Sequence, residues 1–101
     1  MNKNFKQIDK SIISKLSSIK QDLIQQYGIK NLALFGSYAK AHQKLNSDLD
    51  LVVFADKKNY FKLIEMEKYI EARLHIKVDI GFYDGMNSFI KKEIKKDLIY
   101  V

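Results

Sequence analysis

The sequence predicts an α/β fold in which a sheet is covered by helices. Two long segments carry apolar residues at steps of three and four, the spacing of one buried helix face. Short apolar runs lie between and after them, and the run over residues 76–82 alternates apolar with polar side chains as a half-buried strand does. Helices and strands that alternate along one short chain pack as layers on a shared core.

The first segment is predicted to be a helix that ends before Gly28. The apolar stripe that defines its buried face consists of Phe5, Ile8, Ile12, Leu16, Ile19, Leu23 and Tyr27. A glycine directly after such a stripe predicts a left-handed helix cap, and Ile29 behind it supplies the apolar contact that accompanies this cap.

The middle of the chain predicts two strands around a short helical turn. Residues 32–35 form an apolar run that ends in a glycine, which indicates a buried strand. A turn of helix is expected over residues 37–41 and a loop over 43–47. The second strand covers residues 48–54, where Val52, Val53 and Phe54 have high strand propensity. Residues 55–58 turn the chain.

The sequence from residue 59 onward predicts two helices and two strands. The long helix covers residues 59–74 and the third strand covers 75–83. After a turn over 84–87, a helix covers 88–96 and a closing strand covers 98–101. In the third strand, Lys77, Asp79 and Gly81 share the polar face. Periodicity alone leaves open whether the sheet is parallel or mixed. The apolar stripe of the long helix consists of Tyr60, Leu63, Met66, Ile70 and Leu74.

Composition excludes several classes of protein. The 101 residues amount to one domain, predicted over residues 1–101, with an ordinary globular balance of 47% hydrophobic and 30% charged residues. The absence of cysteine excludes a disulfide framework and a thiolate metal site. Because no apolar run reaches ~20 residues and no signal peptide is evident, we expect a cytoplasmic protein without a membrane partner. The net charge of +6 permits a nucleotide or nucleic-acid partner, although interspersed lysines and acids favour a solvated surface.

The paired carboxylates of Asp48 and Asp50 pose an electrostatic problem. They lie two residues apart, so an extended chain presents both on the same face. Two such charges repel each other, and a divalent cation removes the repulsion; ligation by oxygen alone suits magnesium or manganese. Asp79 stands in the middle of the third strand, where strand propensity disfavours an acid. If the two strands are neighbours, the three acids converge and can hold two metal ions about 3.5–4 Å apart, as in nucleotidyl transfer.

The pair Gly36 and Ser37 predicts a phosphate site beside these acids. Glycine lets a phosphate approach the backbone, and the N–H groups and the serine hydroxyl at a helix start can bind its oxygens. Ten residues separate the pair from Asp48, enough for a helical turn and a returning loop. A nucleoside triphosphate would place its terminal phosphates on this pair and its α-phosphate over the metals.

Several nearby residues have equally ordinary interpretations. Ser37 is also a candidate helix N-cap. Tyr38 lies either against a nucleotide or in the core. His42 is expected to be a solvated loop residue, and His75 is expected to end the long helix, where a cation is favourable.

In this chain a Gly-Ser pair is followed, after ten residues, by Asp-X-Asp. This arrangement resembles the signature of the polymerase-β-like nucleotidyltransferase superfamily. The segment "LFGSYAKAHQKLNSDLDLVVF" is similar to its minimal members, the MNT domains that act as antitoxins paired with HEPN toxins. The resemblance covers nearly the whole chain and implies a small mixed sheet flanked by helices. The chain departs from the family at Ala39, Lys40 and Ala41, where Ala-Arg-Gly is frequent, and at "KLNSD", which lacks the usual proline.

The resemblance implies transfer of AMP from ATP to a tyrosine of a cognate HEPN ribonuclease, which silences that toxin. It implies that Asp48 and Asp50 hold two Mg²⁺ ions and that Asp79 holds the catalytic one and helps to deprotonate the acceptor. The residues expected to hold the β- and γ-phosphates are Gly36, Ser37 and Lys40.

Two other functions stay open at this point. The first is a degenerate MNT domain that masks its toxin by binding alone, which the Lys40 and Ala41 departures favour. The second is a catalytic subunit for a small-molecule or nucleic-acid acceptor, which the charge of +6 weakly favours. A catalytic core of this size leaves little chain for an acceptor domain, so the acceptor is expected on another chain. Direct nucleic-acid binding is not expected, because no stacking platform is evident.

Overall fold

The computed structural model describes residues 9–101, so the predicted stripe members Phe5 and Ile8 lie outside the described residues. None of the helices within this range combines the length and apolar character needed to cross a membrane. The elements in chain order are helix α1 (Lys10–Tyr27), strand β1 (Asn31–Phe35), helix α2 (Gly36–Ala39), strand β2 (Leu49–Phe54), helix α3 (Tyr60–Leu74), strand β3 (Val78–Phe82), a 3₁₀ turn (Tyr83–Gly85), helix α4 (Ser88–Lys95) and strand β4 (Ile99–Tyr100).

The four strands form one mixed sheet in the order β3-β2-β1-β4. Strand β1 is antiparallel to both β2 and β4, whereas β2 and β3 are parallel. The register places Phe35 opposite Asp50 and Asp50 opposite Asp79. The predicted fold class, a small mixed sheet with helices, is confirmed, and the third predicted strand is indeed the neighbour of the second.

The core lies between the sheet and helices α1 and α3. Strand β2 alternates, so Leu49, Leu51 and Val53 are fully buried in this core while Asp50 faces the opposite side of the sheet. Burial of each large aliphatic side chain contributes roughly 1.5–3 kcal/mol, which specifies the register of β2 strongly. The largest fully buried side chains include Leu16, Leu23, Leu32, Leu34, Leu49, Leu51, Met66 and Ile70.

The helix ends have specific caps. The Asp9 carboxylate accepts hydrogen bonds from the backbone N–H groups of Ser11 and Ile12 at 3.0 and 3.3 Å. Gly28 has φ +71° and donates its N–H to the Ile24 carbonyl at 2.9 Å, which confirms the predicted left-handed cap. These contacts satisfy backbone groups that a helix end leaves without a partner.

The third strand is shorter than predicted because His75 takes a helix-capping conformation. His75 has φ +57° and donates its N–H to the Glu71 carbonyl, which ends α3 and delays the extended conformation until Val78. The Glu71 carboxylate then accepts the Val78 N–H at 2.8 Å. The prediction that His75 ends the long helix is confirmed, whereas the strand start at residue 75 was wrong.

His75→Gly is expected to stabilise the protein by about 0.5–1 kcal/mol. The substitution removes a left-handed strain of about 1–2 kcal/mol, and the entropy that glycine loses on folding offsets about 0.5–1 kcal/mol of this gain. His75 is exposed, so its side chain contributes little packing that would be lost. Chemical denaturation measures the gain. His75→Ala is the matched control, since it removes the imidazole but keeps the Cβ, and an equal gain in both variants would contradict the backbone explanation.

Candidate active site

The register of β2 and β3 brings the predicted acids together. Asp50 and Asp79 are direct cross-strand partners, so their side chains leave the same face of the sheet. Asp48 directly precedes β2 and is exposed, as is Asp79, whereas Asp50 is partly buried. Burial raises the pKa of the Asp50 carboxyl, and the negative charges of Asp79 and Asp48 raise it further. The three carboxylates therefore belong to one electrostatic cluster.

Gly36 lies directly against the Asp50 carboxylate. Its φ of +72° is in the left-handed region, and a Cβ at this position would overlap Asp50 Oδ2 and lie 3.0 Å from Asp50 Cγ. Two separate constraints thus require glycine here, one from the backbone conformation and one from the space that Asp50 occupies. The contact joins the predicted phosphate loop to the predicted acids.

Ser37 lies in the first turn of α2, half-buried beside Gly36. The cap residue of α2 is Phe35, which makes no side-chain cap bond, so the interpretation of Ser37 as a helix N-cap is wrong. Within residues 9–101, its hydroxyl makes no hydrogen bond, while its carbonyl accepts the His42 N–H at 2.8 Å. The serine side chain is thereby available to a ligand, and the returning loop is anchored on its main chain.

Tyr38 packs in the hydrophobic core rather than beside a nucleotide. It is 8% exposed and belongs to the buried cluster formed with α1 and the sheet. Burial raises the pKa of its phenol, and the charge of Asp9 adds to this effect. Of its two interpretations, the structure supports the packing role.

Lys40 is close to Gly36 but has a partner that the sequence pattern did not predict. Its Nζ lies 3.6 Å from Asp97 Oδ2, just beyond the end of α4. Lys40, Gly36 and Asp97 line one groove of about 470 Å³ between α2 and the end of α4, together with Glu93 and Lys96. No local spacing signals this pair, because its members are brought together only by the tertiary fold.

Ala41 adopts a left-handed conformation at the position where the resemblance leads one to expect glycine. It has φ +57° and is 7% exposed. An alanine pays about 1–2 kcal/mol for this conformation. The departure from Ala-Arg-Gly therefore adds strain to the loop without removing the left-handed turn.

The carboxylate oxygens of the acid cluster suit a hard divalent cation, although the three carboxylates do not converge on one coordination site. No group of three or more His, Cys, Asp or Glu side chains in the described range 9–101 is arranged to hold a metal ion. The raised pKa of Asp50 results in part from repulsion by its two neighbours, and a cation would relieve that repulsion. Carboxylate oxygens are the ligands that magnesium prefers, so Asp48, Asp50 and Asp79 fit such an ion by their chemistry.

Comparison with known proteins identifies the family. Residues 16–101 match the family model of the nucleotidyltransferase domain. The chain belongs to this family. Protein MJ0128 of Methanocaldococcus jannaschii is 43% identical over 84 residues, which cover 81% of this nucleotidyltransferase and 86% of that protein. Protein adenylyltransferase MntA of Thermococcus cleftensis is 34% identical over 91 residues, covering 89% and 92% of the two chains. The prediction of a nucleotidyltransferase is confirmed.

Solved structures support the same fold. A toxin–antitoxin structure with AMP-PNP matches this nucleotidyltransferase with a TM-score of 0.74 and 22% identity, covering 86% of this chain and 69% of that chain. A tri-AMPylated Shewanella oneidensis HEPN toxin in complex with MNT antitoxin matches with a TM-score of 0.68 and 17% identity, covering 90% and 69%. At these identities the likeness concerns the fold, which agrees with the predicted minimal nucleotidyltransferase architecture.

Proposed function

We propose that this nucleotidyltransferase transfers AMP from ATP to a tyrosine hydroxyl of a cognate HEPN ribonuclease toxin and so acts as its antitoxin. The observation that carries the proposal is the contact of Gly36 with Asp50, together with the register of Asp50 opposite Asp79. A phosphate-binding turn and a carboxylate cluster meet there. The protein acceptor is supported by the name of the MntA relative and by the neighbour that contains an AMPylated HEPN toxin.

In the proposed reaction, the oxygen of the acceptor hydroxyl forms a bond to the α-phosphorus of ATP. The bond from the α-phosphorus to the oxygen that bridges to the β-phosphorus breaks, and pyrophosphate leaves. Asp79 takes the proton of the hydroxyl, since its carboxylate is exposed on the face that it shares with Asp50. Magnesium ions held by Asp48, Asp50 and Asp79 would neutralise the charge that develops on the phosphate oxygens.

Gly36 and Ser37 are proposed to hold the β- and γ-phosphates. The absence of a Cβ at Gly36 leaves its backbone open to a phosphate, and the Ser37 hydroxyl supplies a hydrogen-bond donor. Lys40 would break its ion pair with Asp97 and form one with a phosphate, which adds a positive charge to the site. The Lys40–Asp97 pair is half exposed and its atoms are 3.6 Å apart, so breaking it costs no more than about 1 kcal/mol.

Intact-mass measurement of the toxin tests this function. After incubation of the toxin with this chain, ATP and Mg²⁺, we expect the mass of one or more AMP groups to be added, with loss of ribonuclease activity. The chain carrying both Asp48→Asn and Asp50→Asn is expected to add none. Toxin that is mixed with wild-type protein and remains unmodified and active would refute the proposal.

A second candidate is an antitoxin that silences its toxin by binding alone. Two observations favour this candidate. Asp97 competes with phosphate for Lys40, and the left-handed conformation of Ala41 strains the loop that would bind phosphate. The same experiment separates the two functions. Under the second, wild type and the double variant silence the toxin equally, and no mass is added by either.

A further inference from the structure

Strand β3 is an edge of the sheet, with main-chain groups directed away from β2. Within the part of the chain described, β3 pairs only with β2. The Lys77 carbonyl accepts the Leu49 N–H at 2.8 Å, so residues 77, 79 and 81 direct their main-chain groups toward β2. Residues 78, 80 and 82 direct theirs outward, and the Glu71 carboxylate accepts the Val78 N–H on that side. The N–H and C=O of Ile80 thus lie on the open edge.

One face of α3 overhangs this edge with unusually exposed apolar side chains. Tyr60, Ile64, Glu67 and Glu71 follow one another at steps of four, three and four, so they form a single stripe. Both ends of the stripe contact β3: the Tyr60 ring lies edge-on to Phe82 at 5.2 Å between centroids, and Glu71 binds Val78. Tyr60 and Ile64 are nevertheless 57% and 52% exposed. The open edge is therefore bordered by two large apolar side chains that are each more than half exposed.

The same strand carries the proposed proton acceptor. Asp79 lies next to Ile80 and directs its carboxylate to the sheet face opposite α3. A residue added opposite Asp79 on a new strand would direct its side chain to this catalytic face, with its Cβ about 4.5–5.5 Å from that of Asp79. The residues on either side of it would point the other way, toward Tyr60 and Ile64.

We propose that the acceptor protein binds by adding an extended segment to the sheet along the outer edge of β3. This inference rests on the proposed function. It assigns a pattern to the modified segment: a hydroxyl residue on the catalytic face, flanked on both sides by apolar residues that cover Tyr60 and Ile64. Main-chain hydrogen bonds to Ile80 supply the affinity, and the alternating side chains supply the specificity.

A second copy of this chain is a poorer occupant of the edge. In a two-fold antiparallel pairing centred on Ile80, Asp79 of each copy would face Gly81 of the other. The catalytic face would then receive no hydroxyl, and two carboxylate clusters would share one sheet surface, which adds repulsion to a cluster in which the pKa of Asp50 is already raised.

Steady-state kinetics with the HEPN toxin of the proposed function tests the docking edge. Ile64→Asp is expected to raise the KM for toxin by about 10-fold, the equivalent of ~1.4 kcal/mol, and to leave kcat at saturating toxin within about twofold. Tyr100→Asp is the matched control, because Tyr100 is 55% exposed on β4, the opposite edge of the sheet. Equal KM values in Ile64→Asp and wild type would overturn the inference.

Amide hydrogen exchange supplies the second readout. Adding toxin and a non-hydrolysable ATP analogue is expected to slow exchange at Ile80 and Phe82 by at least about 10-fold, because their N–H groups become bonded to the added strand. Toxin that binds without protecting these amides would overturn the docking inference and leave the proposed function intact. Protection of Ile80 in a dimer of the chain alone would assign the edge to a second copy. Failure of wild type to bind or modify the toxin would instead refute the proposed function.

Discussion

Asp50→Asn is expected to reduce AMP transfer by at least about 1,000-fold, which corresponds to ~4 kcal/mol of transition-state stabilisation. The substitution keeps the shape of the side chain but removes the charge at the centre of the carboxylate cluster, between Asp48 and Asp79. The amide is a poor ligand for a cation that must balance phosphate charge. Single-turnover transfer to saturating toxin measures the loss, because this assay separates chemistry from product release.

The same variant is expected to be more stable than wild type in cation-free buffer at neutral pH. Burial and the charges of Asp79 and Asp48 raise the pKa of Asp50 in the folded protein, so the ionised carboxylate is less favourable there than in the unfolded chain. Asparagine removes this unfavourable contribution. A higher Tm than that of wild type is expected, and calorimetry of the two proteins in the same cation-free buffer measures it.

The sign of the pH dependence follows from the raised pKa. Between the ordinary carboxyl pKa and the raised value, folded Asp50 retains a proton that the unfolded chain has released, so wild-type stability falls as pH rises through this window. Above the window the unfavourable contribution is complete. The Tm difference between Asp50→Asn and wild type is therefore expected to be largest at neutral pH and to disappear below the ordinary carboxyl pKa.

Magnesium provides the control for this explanation. Added Mg²⁺ is expected to raise the Tm of wild type, since a cation bound to the folded state stabilises it, and to leave Asp50→Asn nearly unchanged. A variant that lost activity but was less stable than wild type at neutral pH would show that Asp50 is a structural residue. Relief of repulsion between the three carboxylates would then not explain the binding of a cation.

The parts of the fold that were predictable are those with local signals. The stripe of α1 and the glycine after it predicted both the helix and its left-handed cap. The alternation of the third strand predicted that Asp79 lies on its polar face, and Asp79 is indeed exposed between buried Val78 and Ile80. The start of β3 was wrong because His75 adopts a left-handed conformation at the helix end, where glycine is usual. A positive φ at a residue with a Cβ leaves no trace in periodicity.

The parts of the site that were not predictable depend on the order of the strands. Periodicity does not determine that β2 and β3 are parallel neighbours or that β3 lies at the edge, yet these facts bring Asp50 beside Asp79. The approach of Asp97 to Lys40 is likewise a result of where α4 packs. The types of residue in the site were readable from spacing, whereas their contacts required the tertiary structure.

Gly36→Ala is expected to lower kcat/KM for AMP transfer by at least about 100-fold, or ~2.7 kcal/mol, and to destabilise the fold by about 2–4 kcal/mol. The new Cβ would overlap the Asp50 carboxylate, so either that carboxylate leaves its position or the backbone of the phosphate loop shifts. The positive φ adds its own strain of about 1–2 kcal/mol. Both Asp50, the proposed metal ligand, and the proposed phosphate-binding turn depend on this one contact.

Gly28→Ala separates the two causes, because Gly28 has nearly the same φ, +71° against +72°, and a Cβ there would meet nothing within 4 Å. We expect it to cost only the backbone strain, about 1–2 kcal/mol, and to leave AMP transfer unchanged. Gly36→Ala should cost more than this in wild type and about the same in an Asp50→Ala background, where the Asp50 carboxylate is absent. Equal costs for the two glycines in wild type would mean that Asp50 yields freely to the added methyl group. Asp50 would then not be held in place by the proposed phosphate-binding turn.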